Sequence, residues 1–288
     1  MKYLKYIIPV FFVGLLVSSC NLEKEIDLEL PEYSDQPVVE CYLQPGEPFR
    51  LLLTRSSSYF APFDTSIFNF IDNILEKEAT VNIRYNGMII PLEEGNYIDP
   101  NNFKVYNYGN EMIVPEDFEN EFELEIVLKD GTTIGGTTRM LPAIAIDSVV
   151  VQFPETGRPK DTLARVLTYL TDPDVNSENF FRRQLHWNSL TDSFPDQDFI
   201  TNDKLIDNSL ITFGTGFNFP EGDSVINTVY HISPAYYDYL ESVFNASSAD
   251  LNPFGQPSTI VSNVSGSSNP LGIFTGLTYS RTTTVIRK

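Results

Sequence analysis

Glu121-Phe122-Glu123-Leu124-Glu125-Ile126-Val127-Leu128, followed by Lys129-Asp130-Gly131, decides the fold class. Phe122, Leu124, Ile126 and Leu128 alternate with acids at 121, 123 and 125, a period of two that buries one face of a strand and wets the other. Lys129-Asp130-Gly131 is a turn, so Thr132 to Met140 is expected to return as the partner strand.

The same grammar holds upstream. Asn86-Gly87 between Tyr85 and Met88 is a strong two-residue hairpin signal, because both residues tolerate positive φ. Val38 to Gln44, Phe49 to Arg55 and Ala79 to Tyr85 are short β-branched and apolar runs separated by Pro, Gly or Ser. Strands at this spacing predict a sandwich. Leu141-Pro142 closes the unit, and Ile144 to Phe153 opens another with further strands expected at 163–170, 180–187, 209–213, 224–232 and 277–286. One helix interrupts them. Ser233 caps, Pro234 suits the first helical position, and Tyr236, Tyr239, Leu240, Val243 and Phe244 form a stripe through Asn245. A weaker helix is expected over 66–77. The chain therefore reads as mainly β, with a β-sandwich over 37–142 and a second β-rich domain with one helix over 143–288.

The chain's start is of another kind. Lys2 and Lys5 precede the apolar run Ile7 to Val17, and Val17-Ser18-Ser19-Cys20 follows. About ten apolar residues fit a secretory leader and are too few to span a bilayer of roughly 30 Å. Small residues before a cysteine suit lipoprotein processing, with cleavage between Ser19 and Cys20 and acylation, including palmitate, on the Cys20 thiol. Residues 1–19 are thus read as a lipoprotein signal peptide, and 20–36, rich in acids, as a tether. Two or more acyl chains hold a protein stably at a membrane.

Charge excludes one class of partner. The net charge of −20 becomes −22 once Lys2 and Lys5 leave with the leader. Nucleic acid is recognised by clustered Lys and Arg, and a chain this acidic repels it. Cys41 is the only thiol left after Cys20 is acylated, and alternation places it with Val39 and Leu43 on one face, which reads as a buried, inert group.

Chemistry-bearing motifs are sparse. Asp172, Asp174 and Asn176 begin like a calcium loop, but Ser177 stands where glycine is needed and Arg183 where a bidentate glutamate belongs. A capped turn between strands is the better reading. His186 and His231 each lie among apolar or aromatic residues without metal-ligand spacing. No nucleophile elbow, phosphate loop or dinucleotide fingerprint occurs, and no cofactor is implied. Carboxylates are numerous, yet nothing singles out a glycosidase-like pair. Aromatic clusters at Tyr59, Phe60 and Phe63 and at Phe254 are candidate contacts for a partner or a glycan, with plugging of the sandwich ends as the alternative.

Read in order, Cys20, Ile26-Asp27, Leu30-Pro31-Glu32-Tyr33, Pro37-Val38-Val39-Glu40, Pro45-Gly46-Glu47-Pro48, Thr54-Arg55-Ser56-Ser57-Ser58-Tyr59-Phe60, Asp172-Pro173, Asn179-Phe180-Phe181-Arg182, Asn252-Pro253-Phe254 and Gly272-Ile273-Phe274 resemble the Bacteroidetes lipoproteins of domain-of-unknown-function family 4249. That resemblance implies an immunoglobulin-like or prealbumin-like sandwich in front and an outer-membrane lipoprotein, surface-exposed or facing the periplasm, encoded beside a TonB-dependent transporter. It supplies no catalytic residues. The expectation is a non-enzymatic accessory or ligand-capture partner of such a transporter. Two alternatives stand beside it: a surface hydrolase or glycan-processing enzyme using a carboxylate pair, and an envelope structural or adhesion protein.

Overall fold

The computed structural model describes residues 34–57, 73–99, 104–155, 162–191, 195–204, 206, 209–250 and 259–288. Of the weaker helix, only 73–77 fall among them.

Nine strands share the first sheet, in the order β15-β7-β6-β3-β4-β5-β2-β1-β16. Their ranges are β1 Pro37–Leu43, β2 Pro48–Arg55, β3 Thr80–Tyr85, β4 Met88–Ile98, β5 Val105–Ile113, β6 Glu121–Val127, β7 Thr133–Arg139, β15 Val264–Gly266 and β16 Leu271–Gly276. The opening hairpin pairs Leu124 with Gly136 and Ile126 with Ile134. In β6, Phe122, Leu124 and Ile126 are buried and Glu121 and Glu123 exposed, as the alternation requires. Asn86 and Gly87 take φ of 49° and 76°, a left-handed pair that turns β3 into β4. Across the β3–β6 ladder, Tyr85 faces Phe122 and their rings stack at 4.4 Å.

The sheet wraps nearly shut around one core. Val39, Cys41, Leu43, Phe49, Leu51, Leu53, Ile83, Phe122, Ile126 and Phe274 all face inward. Closure is made by side chains where ladders stop. Asn263 accepts from the Phe274 N–H at 2.8 Å and donates to its carbonyl at 2.7 Å. Gly276 N donates to Thr138 Oγ1 at 3.3 Å. Asn107 does the same inside the wall, accepting from Leu53 N and donating to Leu53 O and Glu76 O, each at 2.8 to 2.9 Å. A buried amide supplies both a donor and an acceptor, so it can stand in for a missing strand.

The chain runs past Leu141-Pro142 and then returns, because β16 lies parallel to β1 with Cys41 opposite Phe274. Gly272, at φ +122°, allows this approach: a Cβ there would fall 1.9 Å from Val39 O.

The remaining strands form two facing four-stranded sheets. One has the order β11-β10-β14-β17, from Gln197–Asn202, Phe180–Trp187, Ser224–Ile232 and Thr278–Val285. The other joins β12 (Leu210–Gly214), β9 (Leu163–Thr171) and β13 (Phe219–Pro220), with β8 (Ser148–Gln152) also on β9. The fold is mainly β with a single helix among the described residues outside 73–74, α1, Pro234–Asp250. Tyr236 N donates to Ser233 Oγ at 3.2 Å, the expected cap. Tyr236 and Leu240 are buried, whereas Phe244 is exposed, so the apolar stripe ends one turn earlier than the sequence suggests.

Candidate functional site

Strand β10 reads Phe180-Phe181-Arg182-Arg183-Gln184-Leu185-His186-Trp187, and alternation divides it into two faces. Phe181, Arg183 and Leu185 point between the sheets. Phe180, Arg182, Gln184 and His186 lie on the outer face. The register sets Arg182 beside Tyr230 and Gln184 beside Thr228 on β14, then Tyr230 beside Tyr279 and Thr228 beside Arg281 on β17. On the other side Gln184 meets Asp198 of β11.

These side chains are joined. Arg182 grips Asp198 with two bonds, Nε to Oδ1 at 2.9 Å and Nη2 to Oδ2 at 2.6 Å. Its Nη1 donates to Tyr236 Oη on α1 at 2.7 Å. Gln184 donates to Asp198 Oδ2 at 3.1 Å and accepts from Tyr230 Oη at 3.2 Å. Arg281 donates Nε to Thr228 Oγ1 at 2.8 Å and lies 4.5 Å over the Tyr279 ring, which meets Tyr230 at 5.5 Å. Burial alone would lower the Arg182 pKa, but the bonds to Asp198 outweigh it and raise the value. The bidentate fork fixes Asp198, which in turn orients Gln184. Burial, and then the nearby Arg281 charge, lower the His186 pKa; its Nδ1 is buried without a hydrogen-bond partner, and the ring is neutral at pH 7. Rings, amides and fixed charges in a row suit recognition.

Helix α1 extends the row over a tyrosine cluster. Tyr42 meets Tyr236 edge to face at 5.8 Å, and Tyr237 packs on Phe180 at 4.9 Å. Lys104 lies 4.7 Å over Tyr42 and pairs with Glu40. Burial raises the pKa of Tyr42 and Tyr236, so both phenols keep their protons.

At one end of β10 opens a cleft of about 570 Å³, lined among others by Asp172, Asn176, Glu178, Asp203 and Lys204. Asp172 Oδ1 accepts from Asp174 N, and Asp174 Oδ1 from Asn176 N. Asn179, which the sequence reading did not single out as a site residue, is the hub. Its Nδ2 donates to Asp172 Oδ1 at 3.1 Å and Asp203 Oδ2 at 2.9 Å, and Asp203 Oδ1 accepts from its N–H. The carboxylates of Asp172 and Asp174, with Asn176 donating to Asp174, thus fold a capped turn. Among the described residues no group of three or more His, Cys, Asp or Glu is gathered to hold a metal.

Between the sheets lies a second unforeseen cluster. Arg183, fully buried, donates Nε to Asn227 Oδ1 at 2.8 Å, and Thr168 completes the layer at 3.5 Å from Nη2. Nη1 has no partner, and burial pushes the guanidinium pKa down to about 10. It remains charged at neutral pH. Arginine beside a second arginine in an aromatic-flanked run carries no sequence signal for burial.

Ser19, Cys20, Tyr59, Phe60, Phe63 and Phe254 lie outside the described residues. His231 is separate from His186, its Nδ1 2.9 Å from Pro142 O. Cys41 is buried, and desolvation raises its pKa, as an inert thiol requires. Among the described residues no helix is long and apolar enough to cross a membrane, which says nothing of strands.

The model of a domain of unknown function, DUF4249, matches residues 23–283. The chain belongs to that family. No curated protein matches it. The DUF4249 match takes in the wrapped sheet, the Asn179 turn, the Arg182 row and α1, so all these features lie within the family domain.

Proposed function

We propose that the protein is an outer-membrane lipoprotein of the Bacteroidetes, anchored through acyl Cys20, that docks on a TonB-dependent transporter and helps it capture a nutrient without catalysing a reaction. The observation that carries the docking part is the outer face of β10, β14 and β17, where the half-buried Arg182, Asp198, Gln184 and Tyr279 are held in place by one another and by the buried Tyr230. Preorganised rings and amides lose little freedom on binding, which is where affinity is gained. The leader and the box ending at Cys20 support the address, and the DUF4249 resemblance supports the transporter by association, a weaker warrant than a site. Affinity purification from native outer membranes tests it: a TonB-dependent transporter is expected in the eluate, reduced when Gln184 and Tyr279 are replaced by alanine. An eluate without one overturns the docking.

One observation favours a second reading, a glycan-processing hydrolase. Asp172 Oδ1 and Asp203 Oδ2 accept from the one Asn179 Nδ2 at 3.1 and 2.9 Å, which keeps these oxygens within about 6 Å of each other, near the roughly 5 to 5.5 Å of a retaining pair, at the wall of the cleft. Turnover of a glycan library that is lost in Asp203→Asn would establish it, and no turnover would remove it.

A further inference from the structure

We propose that the outer edge of β17 is a docking site for an extended acidic segment of a partner protein, which adds to the sheet as one more strand. In the sheet order β17 is last, with β14 on one side and no strand on the other among the described residues. The direction of each backbone group follows from its neighbours. Ser224 N donates to Asn188 Oδ1, and Asn188 N to Ser224 O, both at 2.8 Å, so Ser224 turns its backbone away from β17. Its opposite residue Val285 is therefore not bonded to β14, while Ile286, bonded to Asp223 O and Gly222 N, is. Counting back by twos, Thr278, Ser280, Thr282 and Thr284 pair inward. Tyr279, Arg281, Thr283 and Val285 aim their N–H and C=O outward, and no backbone group among the described residues meets them.

Of the usual guards of an edge, a charge at Arg281 is present and the backbone ones are missing. The strand has eight residues, an unbroken register, no proline and no bulge. Its first residues are accompanied by the linker, where Ile146 N donates to Ser280 Oγ at 3.3 Å, but that contact is to a side chain.

Charge selects the occupant. On the wrapped sheet Arg50, Arg55, Arg84, Lys104, Lys129 and Arg139 each pair with a carboxylate. Arg281 instead holds a hydroxyl and a ring, with no ion pair among the described residues; beyond the strand Lys288 lies 5.8 Å over the Phe153 ring. Asp223 accepts from Trp187 Nε1 at 2.8 Å and Glu221 from Lys288 N at 3.4 Å, and neither pairs with Arg281. Arg281 thus stands on an edge strand eight residues long in a chain of net charge −20. Backbone pairing gives such a site its affinity and the flanking charges its selectivity.

The test uses the purified acyl-free mature protein and a fluorescent eight-residue peptide of alternating Glu and Val. Binding by anisotropy is expected, weakened by salt, and reduced by at least about tenfold when Lys replaces Glu in the peptide. Thr283→Pro removes an outward N–H that the β14 ladder does not use, so it should keep the thermal transition and lose the peptide. Arg281→Glu should lose it also. An N-methylated peptide, which reads the edge without altering the protein, should not bind. No binding, equal binding of the Lys peptide, or unchanged binding of the N-methylated peptide overturns the proposal. So does sedimentation showing that the edge joins two copies.

Discussion

Arg183 Nε donates to Asn227 Oδ1 at 2.8 Å across β10 and β14, at the level where the core between the two sheets divides. On one side lie Leu170, Phe181, Ile211, Phe213 and Val229; on the other, Ala164, Val166, Leu185, Phe219 and Val225. Thr168, Arg183 and Asn227 take the inward positions between them. A buried charge without a carboxylate costs stability, and well-packed apolar groups of similar volume often do better. Arg183→Met alone leaves Asn227 Oδ1 without its donor and is expected to cost about 1 to 3 kcal/mol. The triple variant Thr168→Val, Arg183→Met, Asn227→Leu is expected to recover that loss in urea unfolding; a triple variant weaker than the single one would contradict this.

Asn107 gives the sharpest effect in the wrapped sheet. Asn107→Leu strands Leu53 N in the core and takes one of two donors from Leu53 O and Glu76 O, which keep Glu76 N and Tyr108 Oη, and the expected loss is about 1 to 3 kcal/mol, the cost of a buried group left unpaired. Chemical denaturation reads it directly. An unchanged midpoint would mean that water replaces the amide.

The two histidines fix the direction of the pH response. Burial lowers the folded pKa of His186 and His231 below the ordinary value of 6.5. An unfolded chain then binds more protons than the folded one as pH falls below that value, so stability is full above about pH 7 and declines toward pH 5. Replacing both by glutamine should flatten the slope in that window. Thermal melts from pH 5 to 8 would show it.

Cys41 is buried, with its thiol raised in pKa by desolvation. In a Cys20→Ala background, iodoacetamide at pH 8 is expected to leave the native protein unlabelled for as long as it stays folded, and to label it at once in urea. Rapid native labelling would show that β1 opens locally.

Much of this fold was legible in residue patterns, and the exceptions share a cause. β6, β7 and the Asn86-Gly87 turn follow from alternation and turn chemistry. β5 and β16 did not, because Asn107, Gly109, Gly272 and Gly276 interrupt their apolar period. Each interruption serves tertiary structure: the amide replaces a strand, and Gly272 admits Val39 O. Among site residues, Asp172, Asp174 and Asn176 showed their turn in advance. The Arg182 row did not, since its neighbours come from β11, β14 and β17, which only register brings together. The Arg183 layer was hidden for the same reason.

The most direct measurement is photo-crosslinking in intact outer membranes, with a photoreactive residue replacing the half-buried Gln184 on the outer face of β10. Transfer of the crosslink to a TonB-dependent transporter, absent when the residue is placed at Glu123 on the wrapped sheet, is the expected result. Crosslinks that reach no transporter from Gln184, in a protein shown by mass spectrometry to be acylated at Cys20, would contradict the docking role.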